Sequence, residues 1–144
     1  MRDSIHNPMP SISSYLTFNG NCREAMTFYR DCLGGELVLE TIGDLPMSGK
    51  IPCHMKTIVV QAMLTKGDFT LVATDMGNET QIVKGNAVAM LLDCDSEDEA
   101  RSAYQKLSAD GQQTHPLEDS FWGDLFGNLR DKFGNHWLIR FERY

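Results

Sequence analysis

The sequence predicts an α+β fold made of two βαβββ modules, and two observations carry the prediction. The first is a repeat. Asn21, Glu24, Ala25, Phe28, Tyr29 and Cys32 recur 75 residues later as Ser96, Glu99, Ala100, Ala103, Tyr104 and Leu107. In both places a capping residue is followed three positions on by Glu, as in a helix-starting box. Apolar or small residues then fall at i, i+3, i+4 and i+7, one face of a helix. The second observation is that each helical pattern has one strand-like run before it and three after it. A spacing near half of the 144 residues points to a duplicated half. Such a half can join its copy around a pseudo-two-fold axis and leave a cleft where the two meet.

The first module, about 11–75, opens with Ser11 to Phe18, where Leu16 and Phe18 alternate with Tyr15 and Thr17 as in a strand with one face in a core. A helix follows over Cys22 to Leu33 and is stopped by Gly34-Gly35, since glycine accepts the left-handed geometry past a helix end. Glu36 to Thr41 is a second strand, and Gly43 to Met55, with two Pro and two Gly, is a loop. Thr57 to Leu64 and Phe69 to Thr74 form a hairpin with Lys66-Gly67 at its tip. A tight tip sets Leu64 opposite Phe69, Ala62 opposite Leu71 and Gln61 opposite Val72. One face then carries Ala62, Leu64, Phe69, Leu71 and Ala73; the other carries Gln61, Met63, Thr70, Val72 and Thr74.

The second module, about 86–142, repeats the order. Ala87 to Leu92 is a strand, Ser96 to about Ala109 a helix closed by Asp110-Gly111, and Gln112 to Leu117 a short strand. Leu125 to Leu129 and His136 to Phe141 form the last hairpin around Asp131-Lys132-Phe133-Gly134. Trp137, Ile139 and Phe141 share its core face; His136, Leu138 and Arg140 share the other. One helix for four strands covers one face of each sheet. The mixed faces are the uncovered ones, to be solvated, paired with another chain, or curved around a ligand.

Composition bounds the function. The formal net charge of -7 disfavours nucleic-acid phosphates. No apolar stretch approaches the roughly 20 residues of a membrane helix, and Met1 to Met9 has one Arg and no apolar core, unlike a secretory signal. A cytoplasmic protein of one domain, residues 1–144, without nucleic-acid or membrane partners is expected. Cys22, Cys32, Cys53 and Cys94 form no C-x-x-C pair or zinc-ribbon spacing and read as reduced, structural thiols. There is no G-x-G-x-x-G, no G-x-x-x-x-G-K and no G-x-S-x-G.

Two end motifs carry a resemblance. Tyr15-Leu16-Thr17-Phe18-Asn19-Gly20-Asn21 with Ala25, Phe28-Tyr29 and Leu33-Gly34-Gly35-Glu36-Leu37 opens the chain, and Phe121-Trp122-Gly123-Asp124, Gly127 and Asp131-Lys132-Phe133-Gly134-Asn135-His136-Trp137 close it. Together they resemble the PhnB-like branch of the vicinal oxygen chelate superfamily, which includes glyoxalase I, bleomycin-resistance proteins and extradiol dioxygenases. The resemblance implies a concave mixed β-sheet with helices on its outer face, in a homodimer. In metal-dependent members four ligands come from the first and last strands of each module. Those positions fall near Ser13 (or Ser14), Val72, Ala87 and Leu138, and none is His, Glu or Asp. The His that many PhnB-like chains carry in the third strand is Gln61 here, a poor base and weak metal ligand. No cofactor is therefore expected; a divalent metal has no support from the ligand positions.

The expected cleft lining is Tyr15, Thr17, Gln61, Met63, Val72, Trp122, His136, Leu138 and Arg140, with no catalytic residue assigned. For Tyr15, Thr17, Gln61 and Met63 a purely structural role stands beside that of cleft wall. His136 reads as ligand, base or surface histidine, with no acidic residue on its strand face. Arg140 suits a ligand carboxylate or phosphonate, or else a cross-strand salt bridge. Trp122, beside Phe121 in a loop, suits a lid or an interface. The leading expectation is a protein that binds a small organic molecule without the family's catalytic metal. The alternatives are a metal-dependent lyase or dioxygenase, and a drug-sequestering resistance protein.

Overall fold

The computed structural model describes residues 10–46, 48–75 and 82–143; the N-terminal segment Met1 to Met9, read above for a leader, lies outside them. The elements run β1 (Ser14–Thr17), α1 (Cys22–Leu33), β2 (Glu36–Thr41), β3 (Val59–Lys66), β4 (Phe69–Thr74), β5 (Met90–Asp93), α2 (Glu97–Leu107), β6 (Gln112–Asp119), β7 (Leu125–Arg130) and β8 (His136–Phe141). Three short 3-10 turns occupy the loop between β2 and β3. Two four-stranded sheets result, in the orders β1-β4-β3-β2 and β5-β8-β7-β6. In each, the first and last strands of the module pair in parallel and the rest pair antiparallel. This is the predicted α+β arrangement of two βαβββ modules.

Strand ends follow the available pairing partners. β5 begins at Met90 rather than Ala87, because its neighbour β8 begins at His136 and offers its first paired residue, Trp137, to Met90. β1 likewise begins at Ser14 rather than Ser11, opposite Leu71. The β3–β4 hairpin is registered as Leu64 opposite Leu71, Ala62 opposite Ala73 and Met63 opposite Val72, not as expected. Its tip is Gly67-Asp68, with Gly67 at φ 55, so β3 continues to Lys66. The slip preserves the alternation: Ala62, Leu64, Leu71 and Ala73 are buried, and Met63 and Val72 stay on the other face. β6 is an edge strand that carries Pro116 and two register irregularities against β7, as expected where a residue without an N–H interrupts a ladder.

The helices start differently. Ser96 caps α2 as predicted, its Oγ accepting from the Glu99 N–H at 3.1 Å. Asn21 does not cap α1; at φ -113 and ψ 22 it lacks the extended geometry that aims a capping side chain. Asp75, just past β4, substitutes: its Oδ1 accepts from the N–H groups of Gly20 (2.9 Å) and Cys22 (3.0 Å). At the other end, Lys66 Nζ donates to the Leu33 carbonyl at 2.9 Å. α2 is closed by Asp110, which itself takes the left-handed conformation at φ 60. Gly111 is needed for a different reason: a Cβ there would run into the Arg130 carbonyl.

One hydrophobic core spans both modules. From α1 it takes Cys22, Ala25, Met26, Tyr29 and Leu33, and from α2 Ala100, Ala103, Tyr104 and Leu107. The α1 stripe is rotated from the predicted one, leaving Phe28 and Cys32 half-buried. The modules are joined by a polar clamp inside this core. Asp131, buried in the β7–β8 turn, accepts at Oδ2 from the Tyr29 hydroxyl (2.6 Å) and Trp137 Nε1 (2.8 Å). Its Oδ1 accepts from the N–H groups of Phe133 (2.9 Å) and Asn135 (3.0 Å). Asn135 Nδ2 donates to the Tyr29 oxygen at 2.8 Å.

The clamp and the thiols give checkable outcomes. Asp131→Asn turns one acceptor into a donor facing buried donors and lowers stability by about 3 kcal/mol or more; Tyr29→Phe costs about 1–3 kcal/mol, both read by urea unfolding. Burial, then Asp131, pushes the Tyr29 hydroxyl well above the ordinary 10.0. Because the folded state resists ionisation, stability is full below that ordinary value and falls as pH rises past it; Tyr29→Phe removes this part of the alkaline loss. The four cysteines are free, and burial first pushes Cys22 and Cys94 up to about 12 and Cys32 to about 11. Under mildly alkaline native conditions iodoacetamide therefore labels exposed Cys53 first, and Cys22 and Cys94 only after unfolding, as peptide mass mapping would show.

Candidate functional site

Each sheet turns one face to its helix and leaves the other bare. On the first sheet the register lines up Val38, Met63, Val72 and Tyr15 in a row across all four strands. Gln61 lies beside Glu40, and Thr17 beside Thr74. On the second sheet the corresponding row is Leu91, Leu138, Asn128 and His115; the next is Asp93, Arg140, Phe126 and Glu118. Tyr15 is 62% exposed, Val38 61% and Leu91 51%. These rows are apolar surface with hydroxyl, amide and carboxylate groups interspersed, the chemistry of a binding wall.

The residues expected to line a cleft fall into three groups. Tyr15, Val72 and Met63 share one row of the first sheet, with Gln61 and Thr17 one step along. Leu138 and Arg140 share the bare face of the second sheet, where Trp122 joins them through edge-to-face packing on Phe126, at 6.0 Å between ring centroids. The third group sits where the modules meet. There Tyr15 and Thr17 of β1 come together with His136 of β8 around a hollow of about 300 Å³, also lined by Met90, Asn135 and Lys84. Gln61, Met63, Val72, Trp122, Leu138 and Arg140 do not line this hollow.

Arg140 is engaged within its own sheet. Its Nε and Nη2 donate to the two carboxylate oxygens of Asp93 at 2.6 and 2.9 Å, and Nη2 lies 3.3 Å from Glu142. Of its two sequence readings, the structure shows the cross-strand salt bridge. His136 stands opposite Arg130 of β7, so its cross-strand neighbour is a cation. Trp122 is 53% exposed, its indole N–H donating to Asp124 at 3.1 Å, and Phe121 against it is 97% exposed.

Two polar groups of the site were not anticipated. Lys84 reaches from the segment before β5 to lie 5.1 Å from the Phe18 ring centre and 3.3 Å from Asn135 Oδ1. Desolvation lowers its pKa, against the pull of Asp131. Nothing in the aperiodic run Ile82-Val83-Lys84-Gly85 signals this placement. Asn128, next to Leu138 on the bare face, has a buried Oδ1 with no hydrogen-bond partner. Its signal was an amide at an alternating strand position where β-branched or aromatic residues are usual.

The donor chemistry does not fit the superfamily's metal. With β5 starting at Met90, Ala87 precedes the strand, and the residue matching Tyr15 in the second module is Leu91. The paired positions are then Tyr15 beside Val72 and Leu91 beside Leu138, one phenol and three aliphatic chains. Among the described residues no group of three or more His, Cys, Asp or Glu is placed to hold a metal ion. No helix is long and apolar enough to cross a membrane among the described residues.

Comparison with known proteins agrees with the geometry. A family model of the Glyoxalase/Bleomycin resistance protein/Dioxygenase superfamily matches residues 11–139. The structure of protein PA1353 from Pseudomonas aeruginosa is similar at a TM-score of 0.80 and 34% identity, covering 93% of this chain and 98% of its own. The PhnB protein from Bacillus cereus is similar at a TM-score of 0.72 and 25% identity, over 92% of this chain and 100% of its own. Protein YjdN of Escherichia coli (strain K12) is 26% identical over 136 residues, 89% of this chain and 92% of its own length. With the matched span reaching from the start of the first module into β8, the last strand of the second, and a PhnB protein among its structural neighbours, the chain belongs to the glyoxalase/bleomycin resistance protein/dioxygenase superfamily.

Proposed function

We propose that this protein binds a small organic molecule against the bare faces of its sheets, without the superfamily's catalytic metal, and as a homodimer. The two modules, about 11–75 and 86–142, act as one binding unit. The observation that carries this reading is the apolar row Val38–Met63–Val72–Tyr15, half-buried at its centre and exposed at its two ends, matched on the other sheet by exposed Leu91 and half-buried Leu138. Large apolar side chains left in rows are surface that a ligand or a second copy covers. Replacement of metal donors by aliphatic chains supports binding over metal-assisted chemistry. The alternatives of a metal-dependent lyase or dioxygenase find no donor set among the described residues, and a drug-sequestering role would be one case of the binding reading. Free thiols fit a reducing compartment such as the cytoplasm.

Within this reading Tyr15, Thr17 and His136 contact the ligand at the seam. Met63, Val72 and Leu138 supply apolar wall, and Trp122 closes over one end. Gln61 orients a polar group of the ligand, and Asn128 Oδ1 accepts from a ligand donor after a side-chain rotation. Arg140 holds Asp93 and frames the wall.

Three measurements test it. Sedimentation should give a dimer at micromolar concentration, and Val38→Asp on the exposed row should shift it toward monomer; a wild-type monomer would count against the homodimer. Protein loaded with zinc, nickel or iron and then dialysed should retain well under one ion per chain; one tightly held ion per chain would overturn the metal-free reading. In a fluorescence screen of small aromatic acids, amines and neutral ligands, binders should change Trp122 emission and leave buried Trp137 unaffected, with Trp122→Phe abolishing the response. A screen in which every response survives Trp122→Phe would place the ligand elsewhere.

A further inference from the structure

The two modules can be matched residue by residue, and the match exposes a difference between them. Phe18 N–H donates to the Thr74 carbonyl as Cys94 N–H donates to that of Arg140, both at 2.8 Å, so Phe18 corresponds to Cys94. The helix repeat matches Phe28 to Ala103 and Tyr29 to Tyr104. The β3–β4 hairpin turns through Gly67-Asp68 between Lys66 and Phe69. The β7–β8 hairpin turns through Lys132-Phe133-Gly134, between Asp131 and Asn135, and so is one residue longer. The extra residue carries a ring. Phe133 packs against Phe18, Phe28 and Tyr29 of the other module, at 6.3, 5.6 and 6.2 Å between ring centroids. The Lys132 ammonium stands 4.5 Å from the Phe28 ring centre.

The first module's turn, Gly67-Asp68, has no such ring, and the residues matching Phe18 and Phe28 are the small Cys94 and Ala103, of which Ala103 lines the space beside the turn. A hollow of about 750 Å³ lies there, between the β3–β4 turn, the end of α1, β5 and α2. The hollow of about 300 Å³ at the seam shares only its strand positions with it: Leu91, Leu92 and Asp93 of the larger match Tyr15, Leu16 and Thr17 of the smaller, which neither helix lines. The larger hollow has an apolar floor of Leu33, Phe69, Leu92 and Ala103. Five carboxylates border it (Asp31, Asp68, Asp93, Asp95 and Glu99) against the ammonium groups of Lys66 and Lys106. Lys66 is bound to the Leu33 carbonyl, and Asp93 is held by Arg140.

We propose that this hollow is a second binding site, for a small organic cation bearing one aromatic ring. The ring takes the place that Phe133 fills in the other module, on a floor of aliphatic and aromatic edges. The cationic group lies at the carboxylate-rich mouth, where the local field favours positive charge. A volume of this size is within the range of small-molecule pockets. The hollow shares Leu91 and Asp93 with the edge of the second sheet's bare face, but most of its lining comes from α1, α2 and the β3–β4 turn, so the proposal can stand or fall without the bare-face reading.

The test uses benzyltrimethylammonium as probe, with benzyl alcohol and phenylacetate as neutral and anionic matches, followed by amide chemical shifts and calorimetry on the full chain. The cation should bind roughly tenfold more tightly than either control and move the amides of Leu92, Ser102 and Ala103. Ala103→Phe supplies the missing ring and should abolish binding. The exposed pair Asp68→Asn/Asp95→Asn should weaken it several-fold and flatten its salt dependence, and decides the matter if Ala103→Phe fails to fold. Val38→Asp should leave it unchanged. Absence of binding at millimolar probe, equal binding of phenylacetate, shifts confined to the bare sheet faces, or undiminished binding in the carboxamide pair would overturn the proposal.

Discussion

The arrangement of the molecule depends on a carboxylate placed where carboxylates are rarely found. Asp131 is 3% exposed, and its two oxygens gather four donors, one of them from the other module. Two of these bonds shape the turn between β7 and β8, one orients Trp137, and the fourth ties the turn to Tyr29 on α1. A buried carboxylate left short of donors is costly, so the four bonds form together or the turn does not seat. Seating the turn is what brings Phe133 into the aromatic cluster of the first module and places His136, at the start of β8, across the seam hollow from Tyr15 and Thr17. The small hollow formed by Tyr15, Thr17 and His136 is a result of that docking. A hydrophobic core alone would hold the modules together less specifically, since apolar contact has no direction.

Much of the fold was legible because it is encoded locally. The helix repeat, the alternation of β3, β4 and β8, and the split of Trp137 and Ile139 from His136 and Leu138 all follow from period 3.6 or period 2. Most details that failed have partners distant in sequence, and one, the hairpin register, turns on a local choice of tip. Asn21 has the composition of a helix cap, yet the capping oxygen comes from Asp75. The start of β5 is decided by where β8 begins, and the hairpin register by whether Gly67 opens or closes the two-residue tip. The Asp131 clamp was hidden because the sequence shows only a turn with an aspartate in it. For the candidate site, strand parity told which residues share the helix-free face of each sheet. It could not say that Arg140 would be taken by Asp93, nor that Lys84 would arrive from a linker.

The molecule also shows how duplication permits divergence. Two copies of one module inherit the same helix-on-sheet geometry, and each presents a turn to the other's helix. In one copy the turn carries an aromatic ring and closes the space beneath it. In the other the turn is a residue shorter and the facing side chains are small, so the space stays open. The bare faces have diverged too: Met63 and Val72 on one sheet answer to Asn128 and Leu138 on the other. A wall assembled from both copies is asymmetric and so suits an asymmetric guest.

Pro116 has a consequence for assembly. A proline and broken register on the outermost strand of a sheet deny an incoming polypeptide the regular donors and acceptors it needs to extend the ladder. The outermost strand of the other sheet, β2, carries Glu36 and Glu40, whose charges repel a like strand. Growth by end-on accretion is therefore discouraged at these two of the four sheet edges, while the broad flanks stay unguarded. A symmetric pair that uses a flank occupies it once and is then closed, whereas strand-by-strand growth at β6 or β2 meets a broken ladder or like charge.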